Sequence, residues 1–206
     1  MRITNAGDAS YPKAWDGYRV CTSIDRRTWT RVDTEFKDGV LTIDHEPEGQ
    51  MQWYAYFAPY PISRHEALVA CCQQDDRVEI ETLTHTLDGY PLDCLRVGYG
   101  PKSLWIIARQ HAGETMAEWW VEGFLERLLN PEDASAVSLL DLATVHIVPN
   151  MNPDGSRRGH LRGNAKGIDL NREWDKATPD RSPEVYAVRR KMHETGVDLC
   201  LDVHGD

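Results

Sequence analysis

Three strand-length segments, each closed by a polar cluster, constrain this chain more than any other feature. Leu104-Trp105-Ile106-Ile107-Ala108 is a continuous apolar run suited to a strand covered on both faces, Thr144-Val145-His146-Ile147-Val148 reads as another buried strand, and Val197 to Val203 as a third strand. Between the first two, Met116, Trp119, Trp120, Phe124, Leu125 and Leu128 recur at helical spacing until Asn130-Pro131 stops them. Between the last two, Ser182 as cap and Pro183 at the first helical position open a helix that runs to Thr195-Gly196. Capping-box spacing from Thr115 to Glu118 marks the start of the first of these helices, and the same spacing from Ser63 to Glu66 marks one further helix start. Val78 to Leu87 and Leu92 to Val97, joined through Asp88-Gly89, read as a hairpin. This succession predicts an α/β fold with a mostly parallel sheet and helices on both faces, in which sites form beyond the carboxyl ends of the strands.

The first 60 residues follow another grammar. Short β segments, Tyr18 to Ile24, Thr28 to Val32, Val40 to Ile43 and Met51 to Phe57, alternate with turn signals such as Asp38-Gly39 and Glu48-Gly49. They predict an antiparallel β-sandwich leader over residues 1–60, ahead of a second domain over residues 61–206. An apolar share of 41% is enough for a real core, and the formal net charge of −10 argues against nucleic acid or an anionic membrane as partner. No run approaches a membrane span, and Met1-Arg2-Ile3-Thr4-Asn5 lacks the apolar core of a secretion signal, which places the chain in the cytoplasm. The five cysteines form no CxxC pair and read as reduced thiols, with Cys200 buried inside Leu199-Cys200-Leu201.

Chemistry gathers at the strand ends: Gln110-His111-Ala112-Gly113-Glu114 after the first, Pro149 to Gly155 after the second, and Asp202-Val203-His204 in the third. His111 and Glu114 are near enough to bind one ion from a single loop. His204 can supply a third ligand and leave a position for water, as catalytic zinc requires. His-x-x-Glu pairs alone are common by chance. His146, mid-strand, reads as a packed histidine, and His45, His65, His85, His160 and His193 as surface residues.

The intervening segment makes the pattern specific. Asn152-Pro153-Asp154-Gly155, Arg162, and Asp169-Leu170-Asn171-Arg172 stand in order between His-x-x-Glu and the distant strand-terminal His204. This ordered set resembles the carboxypeptidase A family of zinc metallopeptidases. The β-rich leader, with Ser10-Tyr11-Pro12 and Tyr56-Phe57-Ala58-Pro59-Tyr60, is similar to the cytosolic carboxypeptidase branch. The resemblance implies one Zn2+ per chain held by His111, Glu114 and His204, with Asp169 accepting the free ring N–H of His111. It implies that Arg162 polarises the scissile carbonyl, as developing oxyanion charge requires. Asn171 and Arg172 would grip the terminal carboxylate of a peptide or protein substrate, a task that suits a guanidinium fork. Asn-Pro-Asp-Gly is expected to shape its loop without a direct catalytic role.

By the same resemblance, the general-base Glu and a substrate-binding Tyr lie beyond Asp206, and strands of the leader lie ahead of Met1. The chain is therefore expected to be an incomplete and inactive part of a peptidase whose last strand is badly covered. Two other readings stand beside this one: a zinc acylase of the aspartoacylase and succinylglutamate desuccinylase type, and a non-catalytic binding module.

Overall fold

The computed structural model describes residues 1–205, and they form two compact units, Met1–Pro59 and one beginning at Tyr60. The first unit holds β1 (Arg2–Ile3), β2 (Cys21–Ser23), β3 (Thr30–Arg31), β4 (Thr34–Lys37), β5 (Val40–Ile43) and β6 (Trp53–Ala55). They make two antiparallel sheets of three strands each, ordered β1-β5-β4 and β3-β2-β6. Ala6, Tyr18, Val20, Leu41 and Ile43 form their common core. The β4–β5 hairpin turns at Asp38 (φ 50°) and Gly39 (φ 78°), the left-handed pair that a tight hairpin of this twist demands.

The second unit contains α1 (Ile62–Cys72), β7 (Val78–His85), β8 (Pro91–Val97), β9 (Lys102–Ala108), α2 (Thr115–Leu128), α3 (Ala134–Leu142), β10 (Ala143–Val148), α4 (Pro153–Arg158), α5 (Pro183–Thr195) and β11 (Leu199–Val203). Its five strands run in the order β11-β9-β10-β8-β7. β9 pairs in parallel with both β10 and β11, whereas the β7–β8 hairpin joins β10 antiparallel, so the sheet is mixed. Alternation along β9 distributes its side chains between two cores. Ile106 and Ala108 pack with Val121, Leu125 and Leu128 of α2, and Trp105 and Ile107 pack with Val185 and Val188 of α5. Helices thus cover both faces. His146 is a packed core histidine, stacked on Trp105 with ring centroids 4.7 Å apart, and burial lowers its pKa. No helix among the described residues is long and apolar enough to cross a membrane.

Several local expectations need correction. α1 begins at Ile62, so Ser63 lies inside the helix and makes no cap. α2 has Glu114 at its cap position, and Glu118 turns inward rather than back toward the helix start. α3 is an element without a sequence expectation, and Asp133 caps it by accepting from the N–H groups of Ser135 and Ala136 at 2.9 and 3.0 Å. Cys200 is exposed, as are Leu199 and Leu201, because β11 lies at the sheet edge and has β9 as its neighbour on one side. The five cysteines are free thiols.

One buried carboxyl carries a pH signature. Glu184, near the start of α5, is fully buried; its Oε1 has no partner among the described residues. Burial pushes its pKa up from the ordinary 4.5 to about 7, with a small further push from Asp154. Because the folded state holds this proton more tightly than the unfolded state, its contribution is greatest below pH 4.5 and is lost as pH rises toward about 7. The difference amounts to about 3 kcal/mol at most. Glu184→Gln should therefore be stabilised relative to the parent by an amount that grows between pH 5 and pH 8, as read by urea unfolding; parallel pH profiles would contradict this.

Candidate metal centre

The residues of the centre stand where strands end. β9 stops at Ala108, and Arg109 turns the chain with φ 56°, a left-handed backbone that costs a non-glycine residue about 1–2 kcal/mol. The loop from Gln110 to Gly113 then leads to Glu114 at the head of α2. Gly113 is required there: its N–H donates to the Leu161 carbonyl at 2.8 Å, and an added Cβ would stand 2.9 Å from that same oxygen. β11 delivers His204 one residue past Val203, whose carbonyl accepts the Arg109 N–H at 3.4 Å.

His111, Glu114 and His204 converge. Nδ1 of His111 lies 2.6 Å from Glu114 Oε1, and Nδ1 of His204 lies 2.8 Å from Glu114 Oε2. One ligand atom from each of the three residues lies within 4.8 Å of the others. Behind the first ring, His111 Nε2 faces Asp169 Oδ1 at 3.1 Å. Behind the second, Asp202 Oδ2 pairs with His204 Nε2 at 3.0 Å. Gln110 orients Asp202 by donating to it at 2.7 Å, and itself accepts from Trp174 Nε1 at 2.9 Å. Two imidazoles and one carboxylate, with carboxylates behind both rings, fit a catalytic zinc ion that keeps one position for water.

The electrostatics agree with a cation site. Burial pushes the Glu114 carboxyl up, but hydrogen bonds from His111, His204 and the Gly205 N–H outweigh it and hold the group below its ordinary range. Asp169 is likewise lowered, the charges of His111 and Arg162 overcoming its burial. Burial alone would lower His204, yet Glu114 and Asp202 leave it raised, so protons compete with a cation for its Nδ1 as pH falls.

Arg162 reaches the same cluster, with Nη2 3.2 Å from Asp169 Oδ2 and 2.9 Å from His111 Nε2, and Nη1 4.0 Å from Glu114 Oε1. Its neighbours face elsewhere: Arg158 pairs with Asp88, and Arg157 lies over the Tyr90 ring. Asn171 and Arg172 sit in a short 3-10 turn that Asp169 caps by accepting from the Asn171 N–H at 3.0 Å. The Arg172 guanidinium is exposed and bonds the Asn171 carbonyl at 3.1 Å; among the described residues no hydrogen bond or ion pair joins either side chain to the three converging residues.

Asn152 and Asp154 shape the loop, the role expected of Asn-Pro-Asp-Gly, while His65, Arg109 and Glu173 are contributors that no sequence motif marks. Asn152 caps α4, and its Nδ2 donates to the carbonyls of Gln110 and Arg162 at 3.0 and 3.2 Å, tying both loops together. Asp154 is buried and accepts from Thr86 Oγ1 at 2.5 Å. His65, expected at the surface, is buried against Glu118 at 2.6 Å, and Arg109 donates to the same carboxylate at 2.6 Å. Glu173 is also buried, held by the Arg181 fork at 2.7 and 3.1 Å. The available signal was polar residues pressed directly against buried strand ends, as in Ala108-Arg109-Gln110 and Pro149-Asn150.

Comparison with known proteins accords with this geometry. Residues 66–206 match the family model for zinc carboxypeptidases, and residues 1–57 match the cytosolic carboxypeptidase N-terminal domain. The chain belongs to the zinc carboxypeptidase family. It is 52% identical to an uncharacterized protein of Zymomonas mobilis over 99% of this chain and 54% of that protein. It is 34% identical to human cytosolic carboxypeptidase-like protein 5 over 80% of this chain and 23% of that protein. Among solved structures, a metallo-carboxypeptidase from Burkholderia cenocepacia superposes with a TM-score of 0.96 at 46% identity, covering 100% of this chain and 57% of that one. The metallo-carboxypeptidase from Pseudomonas aeruginosa in complex with (2-guanidinoethylmercapto)succinic acid gives 0.94 at 42% identity, with the same coverages. The chain thus spans about half the length of its nearer listed relatives and a quarter or less of the cytosolic carboxypeptidase-like ones.

Close packing in α4 gives a sharp test of the loop scaffold. A Cβ on Gly155 would stand 2.5 Å from the Gly163 carbonyl and 2.9 Å from Ala112 Cβ, beside the His111 loop. Gly155→Ala should cost about 1–3 kcal/mol in chemical unfolding; a variant as stable as the parent would contradict the packing described.

Proposed function

We propose that this chain carries the metal centre of a zinc-dependent carboxypeptidase that hydrolyses the C-terminal peptide bond of peptides or proteins in the cytoplasm. The observation that supports it best is the convergence of His111, Glu114 and His204 within 4.8 Å at neighbouring strand ends, in a chain of the zinc carboxypeptidase family. Residues 1–60 serve as the β-sandwich leader, and residues 61–206 supply the ligand-bearing part of the catalytic domain. One zinc ion held by these three residues would polarise the scissile carbonyl and lower the pKa of a bound water.

The chain's own residues do the rest. Asp169 accepts the proton on His111 Nε2 and so leaves Nδ1 free as a ligand. Arg162, already beside Asp169 and His111, turns its guanidinium to the carbonyl oxygen and stabilises the charge that grows there. Arg172, exposed and bonded to one carbonyl, is available with Asn171 to clamp a terminal carboxylate, which restricts cleavage to free C-termini. The succinic acid ligand of the Pseudomonas aeruginosa metallo-carboxypeptidase is consistent with carboxylate recognition. Among the described residues the carboxylates around the centre are engaged with His111, His204, Arg109 or Arg181.

Zinc content and C-terminal amino-acid release test this reading, on this chain and on the polypeptide translated from the whole reading frame. One zinc per chain is expected, lost in His111→Ala. Arg162→Ala should lower kcat about 10²–10³-fold, and Arg172→Ala should act mainly by raising KM. Absence of zinc, or release that survives His111→Ala, would sink the proposal; cleavage of N-acetyl amino acids without release from peptides would favour an acylase.

A further inference from the structure

Behind the His111 loop lies a buried charged cluster that the mechanism above does not use. Arg109, Glu118 and His65 are each almost wholly buried. Glu118 Oε2 accepts from Arg109 Nη1 at 2.6 Å and from Asn150 Nδ2 at 3.2 Å, while its Oε1 lies 2.6 Å from His65 Nδ1. Both oxygens are therefore satisfied, as a buried carboxylate requires. Arg109 also donates through Nε to the Ala112 carbonyl at 2.9 Å and through Nη1 to the Tyr60 carbonyl at 2.8 Å.

The cluster touches all three segments that bear the proposed ligands. The Arg109 side chain grips the loop of His111 at Ala112. Its partner Glu118 stands one helical turn after Glu114 on α2. Its own N–H bonds the carbonyl of Val203, the residue before His204. Arg109 does this from a left-handed backbone that a glycine would adopt more readily, so its side chain is what recommends it at that position.

We propose that Arg109, Glu118 and His65 form a buried positioning cluster that fixes the His111 loop, the head of α2 and the end of β11 in register for metal binding. This inference rests on the proposed zinc centre. The three residues are positioning residues; none touches the ion or substrate. Lysine cannot replace Arg109, because one ammonium lacks the fork that bonds a carboxylate and two carbonyls at once.

The test is zinc affinity, by chelator competition, together with metal-free melting and hydrogen exchange. The proteins are the parent, the double variant Arg109→Met/Glu118→Met, the milder His65→Gln and Arg109→Lys, and the surface control Arg158→Met. The double variant removes both charges at once, so no buried charge is left unpaired. It should melt cooperatively without metal yet bind zinc about 10–100-fold more weakly. Arg109→Lys and His65→Gln should show intermediate losses and faster exchange at the Ala112 and Gly113 amides, and Arg158→Met parental affinity. Parental zinc affinity in the folded double variant, or in His65→Gln and Arg109→Lys should the double variant not fold, would overturn the cluster's role while leaving the zinc centre standing. A parent that binds no zinc would instead overturn the centre itself.

Discussion

Parallel pairing of β11 with β9 sets Val203 opposite Ala108 and Asp202 opposite Ile107, so two strands end side by side at one rim of the sheet. His111 follows the end of β9 and His204 follows the end of β11; only this register brings their rings to a centroid distance of 4.7 Å over Glu114. A slip of one residue would turn His204 to the opposite face of the sheet. The hydrogen bond from the Arg109 N–H to the Val203 carbonyl continues the ladder past the last paired residue and holds the register where it matters.

Around that rim the structure buries a set of polar side chains and satisfies most of them. Gln110, Glu118, Asn150, Asn152, Asp154 and Glu173 are all close to fully buried. Their partners are other loops: Asn152 joins the carbonyls of Gln110 and Arg162, Glu173 holds Arg181, and Asp154 holds Thr86 of the β7–β8 hairpin. An unpaired group in so dry a setting costs far more than in water, so each such bond fixes a loop in one arrangement. The loops carry the chemistry, and the buried side chains give them the rigidity of the sheet.

Legibility in the sequence followed periodicity and spacing. β9, β10 and the β7–β8 hairpin were readable because apolar runs and Asp88-Gly89 act locally, and α5 because Ser182-Pro183 and Gly196 bracket it. The ordered motif singled out His111, Glu114, Asp169 and His204, whose side chains do meet. The inward turn of His65 is not readable from local pattern, since its partner Glu118 lies more than 50 residues away. Thr115 and Glu118 matched a helix-capping pattern, but the buried Arg109 guanidinium competes for the same carboxylate and wins. Cys200 misled for the opposite reason: an apolar run implies cover on both faces, and β11 lies at an edge.

X-ray absorption at the zinc edge, on the protein loaded with one equivalent of zinc, addresses the central claim most directly. The account predicts a first shell of two imidazole nitrogens and light oxygen donors at about 2.0–2.2 Å, with outer scattering from the imidazole rings. Sulfur at about 2.3 Å would show the ion on the free cysteines instead, and a shell without imidazole scattering would remove His111 and His204 as ligands.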